Sequence, residues 1–139
     1  MDLKKIFYTC LIIFLALFFS GCQEDTKDTN YQIPDNVLFE SDIVELVFAD
    51  ITEHKSNGVV NQLDVAFLLK NIAGRSLNIN KSVEFYNEAD ELLYTSDPVQ
   101  FKGFSAGYIE QEPNPIIEYN GKNASAVSYV KIIVEELKL

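Results

Sequence analysis

Cysteine occurs only twice in the 139 residues, at Cys10 and Cys22, so no disulfide and no thiolate metal site can form in anything that follows. Histidine occurs once, as His54. A lone histidine without cysteines cannot complete a typical zinc site unless several carboxylates join it. Basic residues are scarce: 11 Lys and Arg stand against 21 Asp and Glu, a formal charge of -10. That balance excludes nucleic-acid binding, which needs clustered cations to displace counterions. It also opposes a domain lying flat on anionic lipid. No apolar run is long enough to cross a membrane, which takes about 20 residues for roughly 30 Å of hydrocarbon. Beyond Cys22 no window carries a 3.6-residue apolar stripe with helix caps, so helices should be absent or short.

The longest apolar run, Ile6 to Phe19, follows Lys4 and Lys5 and ends at Phe19-Ser20-Gly21-Cys22, with polar Gln23-Glu24-Asp25 behind it. As a helix, Ile6 to Gly21 would reach only about 24 Å. A positive start, a short apolar segment and small residues before a cysteine read as a signal peptide. The last four residues resemble the lipobox of prokaryotic lipoproteins, in which the cysteine is acylated and becomes the mature N-terminus. That resemblance implies residues 1–21 as a lipoprotein signal peptide, lipidation of Cys22, and a cell-envelope location with the domain on the extracytoplasmic side. An uncleaved N-terminal anchor is the alternative, and it exports the same domain. Removing residues 1–21 takes away Asp2, Lys4 and Lys5, one net positive charge, so -10 becomes -11.

Residues 22–36 have linker composition: Glu24, Asp25, Lys27, Asp28, Asn30, Gln32, Pro34 and Asp35, with only Tyr31 and Ile33 as large apolar groups. A flexible coil of that length reaches roughly 20 Å. No internal repeat is visible afterwards, and residues 37–139 read as one domain.

That domain reads as strands. Leu63, Val65, Phe67 and Leu69 alternate with Asp64, Ala66, Leu68 and Lys70, a period of two. Val83 and Phe85 alternate with Glu84 and Tyr86, and after Asn87 to Glu91 the chain resumes as Leu92-Leu93-Tyr94-Thr95, a hairpin pattern. Val130, Ile132 and Val134 share one parity near the end. In Ile43 to Thr52 the apolar parity shifts from Val44, Leu46 and Phe48 to Ile51, which predicts a bulge. Ala106 to Gln111 and Ile116 to Tyr119 flank Pro113 and Pro115, so strands there belong at an edge or a crossing. Six to eight short strands with frequent turns predict an all-β, two-sheet antiparallel sandwich.

Phe67-Leu68-Leu69-Lys70-Asn71-Ile72-Ala73-Gly74, followed by Val83 to Thr95, resembles the FxLYD-type domains and their Ig-like relatives. There a strand closing in a Lys-Asn-x-x-Gly turn is followed by a strand ending near Phe-Tyr-Asp. The resemblance spans about Ile43 to Glu136. It implies an Ig-like β-sandwich and transfers no catalytic residue.

Few residues suggest chemistry. Gly103-Phe104-Ser105-Ala106-Gly107 fits the G-x-S-x-G nucleophile elbow, but that site needs a parallel sheet and a histidine after the serine, whereas His54 precedes it. A glycine-bounded turn accounts for both glycines. Glu88, Asp90 and Glu91 could offer oxygens to calcium, yet Asn87 to Asp97 has no EF-hand glycine, and a solvated turn is the expectation. Asn80-Lys81-Ser82 and Asn123-Ala124-Ser125 are glycosylation sequons. Tyr86, Tyr94, Tyr108, Tyr119 and Tyr129 remain as candidate surface-binding residues, since exposed tyrosines suit a protein interface or carbohydrate stacking. The expectation is a non-catalytic, lipid-anchored module with no cofactor and no metal. It would contact an envelope protein or play a structural role there; the alternative is a carbohydrate or peptide ligand held by the tyrosines.

Overall fold

The computed structural model describes residues 32–138. The expected signal peptide, Cys22 and most of the expected linker lie outside them. Eight strands build two sheets: β1 Val37–Phe39, β2 Val44–Ser56, β3 Val59–Asn71, β4 Leu77–Tyr86, β5 Leu92–Thr95, β6 Val99–Phe104, β7 Ile117–Asn120 and β8 Tyr129–Glu136. One sheet runs β1-β8-β4-β5, with β6 also on β4; the other runs β2-β3-β7. Between β7 and β8 lies a single 3₁₀ turn, Ala124–Ala126. Among the described residues no helix is long and apolar enough to cross a membrane.

The expected two-sheet β-sandwich forms. One pairing departs from a purely antiparallel plan: β1 runs parallel to β8, matching Val37 with Val130 and Phe39 with Ile132. The link begins one residue before the expected domain start, where the Asn36 carbonyl accepts the Val130 N–H at 3.0 Å.

Alternation sets the core. Leu63, Val65, Phe67 and Leu69 of β3 are buried, as are Val83 and Phe85 of β4 and Val130 and Ile132 of β8; Val134 is half-buried against them. Such facing rows from two sheets interdigitate to fill a sandwich. The β2–β3 hairpin turns at Asn57 and Gly58, whose φ values of 53° and 78° suit a turn with the right-handed twist of its strands. The expected bulge in β2 falls between Leu46 and Phe48. It moves the inward parity from Val44 and Leu46 to Ala49, leaving Phe48 half-buried on the other parity.

One strand was not anticipated and one expectation changes. Val99–Phe104 forms β6 along β4, with Phe104 fully buried, although Gly103 interrupts its pattern. Conversely, the strand expected from Ala106 to Gln111 is a strap along the β3 edge carrying one bridge, Lys70 to Ile109. Its backbone is satisfied irregularly: the Asn71 N–H donates to the Tyr108 carbonyl, and the Glu110 N–H to the Leu69 carbonyl. The strap continues through a cis Asn114–Pro115 bond to β7, where Leu63 and Tyr119 are paired at the edge expected for that piece.

Candidate functional site

The β4–β8 register places Tyr86 beside Tyr129 and Glu84 beside Lys131 on the face turned away from the core. Tyr86 is also opposite Leu92 of β5, so one outward row reads Tyr129, Tyr86, Leu92. The two tyrosine rings stack, with centroids 5.0 Å apart and planes 4° apart. The Tyr86 hydroxyl donates to Glu84 Oε2 at 2.6 Å, and the Tyr129 hydroxyl donates to Asp90 Oδ1 at 3.0 Å. A hydroxyl that donates to a carboxylate is held neutral: the bond to Glu84, followed by desolvation and the carboxylate's charge, pushes the Tyr86 pKa up to about 12. Tyr129 is raised too, first by desolvation and then by its bond to Asp90.

The turn after β4 aims Asp90 at this pair. Asn87 Oδ1 accepts the N–H groups of Ala89 and Glu91, and Asp90 adopts φ 59°, a conformation Asp tolerates better than most residues. Asn87 Nδ2 in turn donates to Glu91 Oε2. The acidic turn is therefore organised by its own side chains. Among the described residues no group of three or more His, Cys, Asp or Glu is placed to hold a metal ion.

Beside the stacked rings is a shallow depression of about 420 Å³, lined by Leu38, Phe39, Glu40, Tyr86, Tyr129 and Lys131. Leu38, from β1, is 47% exposed there.

The other candidate tyrosines separate from this pair. Tyr94 and Tyr119 stack on each other at 4.7 Å and both pack on Phe85, joining β5 of one sheet to β7 of the other inside the core. Tyr119 is only 8% exposed. Its ring also explains Gly121, where a Cβ would come within 2.9 Å of it. Tyr108 stands apart on the strap, 46% exposed, edge-on to Phe104. It lines a second depression of about 440 Å³ with Phe101, Gln100, Gln111 and Asn114.

Ser105 sits in a turn closed by the Tyr108 N–H donating to its carbonyl, with φ 72° at Gly107. His54 is exposed on the β2–β3 hairpin, its Nε2 2.7 Å from Asp64 Oδ2. These two residues belong to separate hydrogen-bonded groups. Of the sequons, Asn123 is exposed, while Asn80 is half-buried and its Oδ1 is enclosed without a partner.

A constellation that the sequence reading missed lies between the sheets. Lys81, on the inward parity of β4, is 3% exposed and its Nζ lies 2.6 Å from Glu110 Oε1. It also donates to the Asn114 carbonyl at 3.1 Å, and it sits 5.3 Å and 5.7 Å from the ring centroids of Phe101 and Phe67. Glu110 Oε2 accepts the Leu69 N–H at 2.9 Å, so this carboxylate takes the place of a backbone carbonyl on the β3 edge. Two charges buried among apolar walls survive only when paired and hydrogen-bonded, and these are. The signal was present in the sequence: Leu77, Ile79, Val83 and Phe85 share the parity of Lys81.

Asn71 is the other buried polar anchor. Its Nδ2 donates to the carbonyls of Arg75 and Phe104, and its Oδ1 accepts the Ala73 N–H. The Lys-Asn-x-x-Gly stretch is thus a turn tied to the end of β6, with Gly74 at φ 70°.

No protein-family model matches the chain, and no curated protein matches it. Among solved structures, the crystal structure of Campylobacter jejuni cj0090 is similar at a TM-score of 0.41 and 11% identity, covering 75% of this chain and 100% of that one. A likeness of that size carries no functional argument, and the reading of function rests on the chain's own residues.

Proposed function

We propose that the chain is a lipid-anchored, extracytoplasmic module that acts by binding another protein of the cell envelope rather than by catalysis. The observation that carries this reading is the outward row Tyr129–Tyr86–Leu92 with Leu38 beside it, an aromatic and apolar strip on the solvent face of a sheet. Aromatic residues on such a strip suit a protein interface, because they offer large rigid contact area with a polar tip. The buried charged groups support the same reading from the other side: Lys81 and Glu110 bond to each other and to the backbone, which is a structural arrangement. The anchor rests on the Phe19-Ser20-Gly21-Cys22 motif. The FxLYD resemblance agrees with an exported sandwich and adds no activity.

The test is chemical cross-linking of the full-length chain in its own envelope. Discrete, reproducible adducts with one partner are the expected result. Recovery of the chain alone, across reagents of several lengths, would contradict the interaction reading.

A second reading has one observation in its favour. The depression beside Tyr108 is lined by two aromatic residues, by Gln100, Gln111 and Asn114, and by Glu110 and Glu112, a mixture of apolar and polar groups that suits a small polar ligand. Saturable binding of an oligosaccharide or peptide there would favour it over a protein partner.

A further inference from the structure

The stacked tyrosines stand among carboxylates. Glu84 and Asp90 hold the two hydroxyls, and Glu40 lines the depression beside the rings. Glu88 and Glu91 belong to the same turn as Asp90 and are exposed. The one cation of the depression is Lys131, opposite Glu84 in the strand register, and it is outnumbered by the five carboxylates Glu40, Glu84, Glu88, Asp90 and Glu91. Within the described residues Glu84 Oε1 and Asp90 Oδ2 have no hydrogen bond, so each carboxylate has an oxygen to offer.

We propose that this surface receives an arginine side chain presented by a basic segment of a protein partner. The inference rests on the protein-binding reading above and names the chemistry of its contact. A guanidinium satisfies each element at once. It is planar and weakly hydrated, it stacks on aromatic faces, and its fork of donors matches carboxylate oxygens. Both stacked rings line the depression, so a cation seated there meets aromatic surface. Leu38, opposite Lys131 in the register and lining the same depression as Tyr129, offers apolar contact to the aliphatic stem of a long cation. The chain's net charge of -10 draws a basic partner toward the surface from a distance. A pyranose fits less well, because the phenolic hydroxyls that would recognise it are already committed to Glu84 and Asp90. An anionic partner would meet the same carboxylates as repulsion.

The test is an NMR titration of the isotopically labelled full-length chain in neutral detergent micelles with the probe peptide acetyl-Arg-Gly-Arg-Gly-Arg-amide. Its citrulline counterpart, of the same shape without charge, and chitobiose are the controls. The arginine peptide should shift the amides of Leu38, Tyr86, Leu92 and Tyr129 in a saturable way, and the two controls should not. Glu84→Gln with Asp90→Asn should weaken that binding about tenfold or more, since charge-assisted hydrogen bonds are lost while the rings remain. Tyr129→Leu, which keeps an apolar residue on the strand, should weaken it as well. Arginine-dependent shifts confined to other residues, equal shifts from the citrulline peptide, a chitobiose response at these residues, or no shift at all would each overturn the inference. Envelope cross-linking distinguishes this from failure of the broader reading: a partner captured equally by wild type and by the Glu84→Gln/Asp90→Asn variant leaves protein binding standing and removes this surface from it.

Discussion

Lys81 and Glu110 are 29 residues apart in sequence and 2.6 Å apart in the fold, and their contact fastens the strap before β7 to the inner face of β4. Removing one partner leaves the other charge buried and alone. Glu110→Ala should therefore cost about 3–5 kcal/mol of unfolding free energy. The double variant Lys81→Met/Glu110→Gln removes both charges and keeps an acceptor for the Leu69 N–H. It should recover most of that loss. Denaturant titration of the full-length single and double variants measures both, and equal destabilisation of the two would contradict the pairing argument.

Truncation of the core should be just as costly. Phe67 is 3% exposed and Phe85 is 0% exposed, so either one changed to Ala should lose about 3–5 kcal/mol through lost burial and a residual cavity. Glu118→Gln, at an exposed position of β7, should stay within about 0.5 kcal/mol. Chemical denaturation distinguishes these cases directly, and comparable effects at all three sites would contradict the inward parity of β3 and β4.

The Tyr86 phenol gives a pH prediction. Its folded pKa of about 12 exceeds the ordinary value of 10.0, so the folded state keeps a proton that the unfolded chain releases. The associated stability is fully present below pH 10 and is lost as pH rises toward 12. In spectra of ring-labelled tyrosine, one resonance should titrate near 12, disappear in Tyr86→Phe, and move down in Glu84→Gln. A Tyr86 resonance titrating at the ordinary phenol value would contradict the hydrogen bond to Glu84.

Cys22 carries the expected anchor. Cys22→Ser should abolish incorporation of labelled fatty acid and block processing between Gly21 and Cys22. Continued labelling, with unchanged fractionation, would contradict the lipobox reading.

Much of the sandwich was legible because a period of two needs only neighbouring residues. Leu63 to Leu69, Val83 and Phe85, and Val130 and Ile132 each displayed their buried face within a few positions. The bulge in β2 was visible as a change of parity between Leu46 and Ile51. What escaped depends on distant partners. Val37–Phe39 is three residues long, too short for a period, and becomes a strand because β8 supplies its ladder. Lys81 was read within a surface sequon, since a lysine on an inward parity makes sense only once Glu110 and the Asn114 carbonyl arrive from the strap. The tyrosines show the same limit. Parity alone could not separate the Tyr86–Tyr129 stack on the solvent face from the Tyr94–Tyr119 stack in the core, because Tyr94 meets Tyr119 across the two sheets.

The most direct test of the account is a photo-crosslinking scan of the full-length chain in its native envelope, with a photoreactive amino acid placed in turn at Leu38, Leu92, Thr52 and Asn123. Leu92 is opposite Tyr86 and Leu38 lines the depression beside the two rings, whereas Thr52 lies on the β2–β3 hairpin and Asn123 precedes the 3₁₀ turn. The account predicts a discrete protein adduct from Leu38 and Leu92, and none of that size from Thr52 or Asn123. Adducts from Thr52 or Asn123 alone, or equal faint labelling from all four positions, would contradict the claim that the tyrosine face of this sandwich is where it meets its partner.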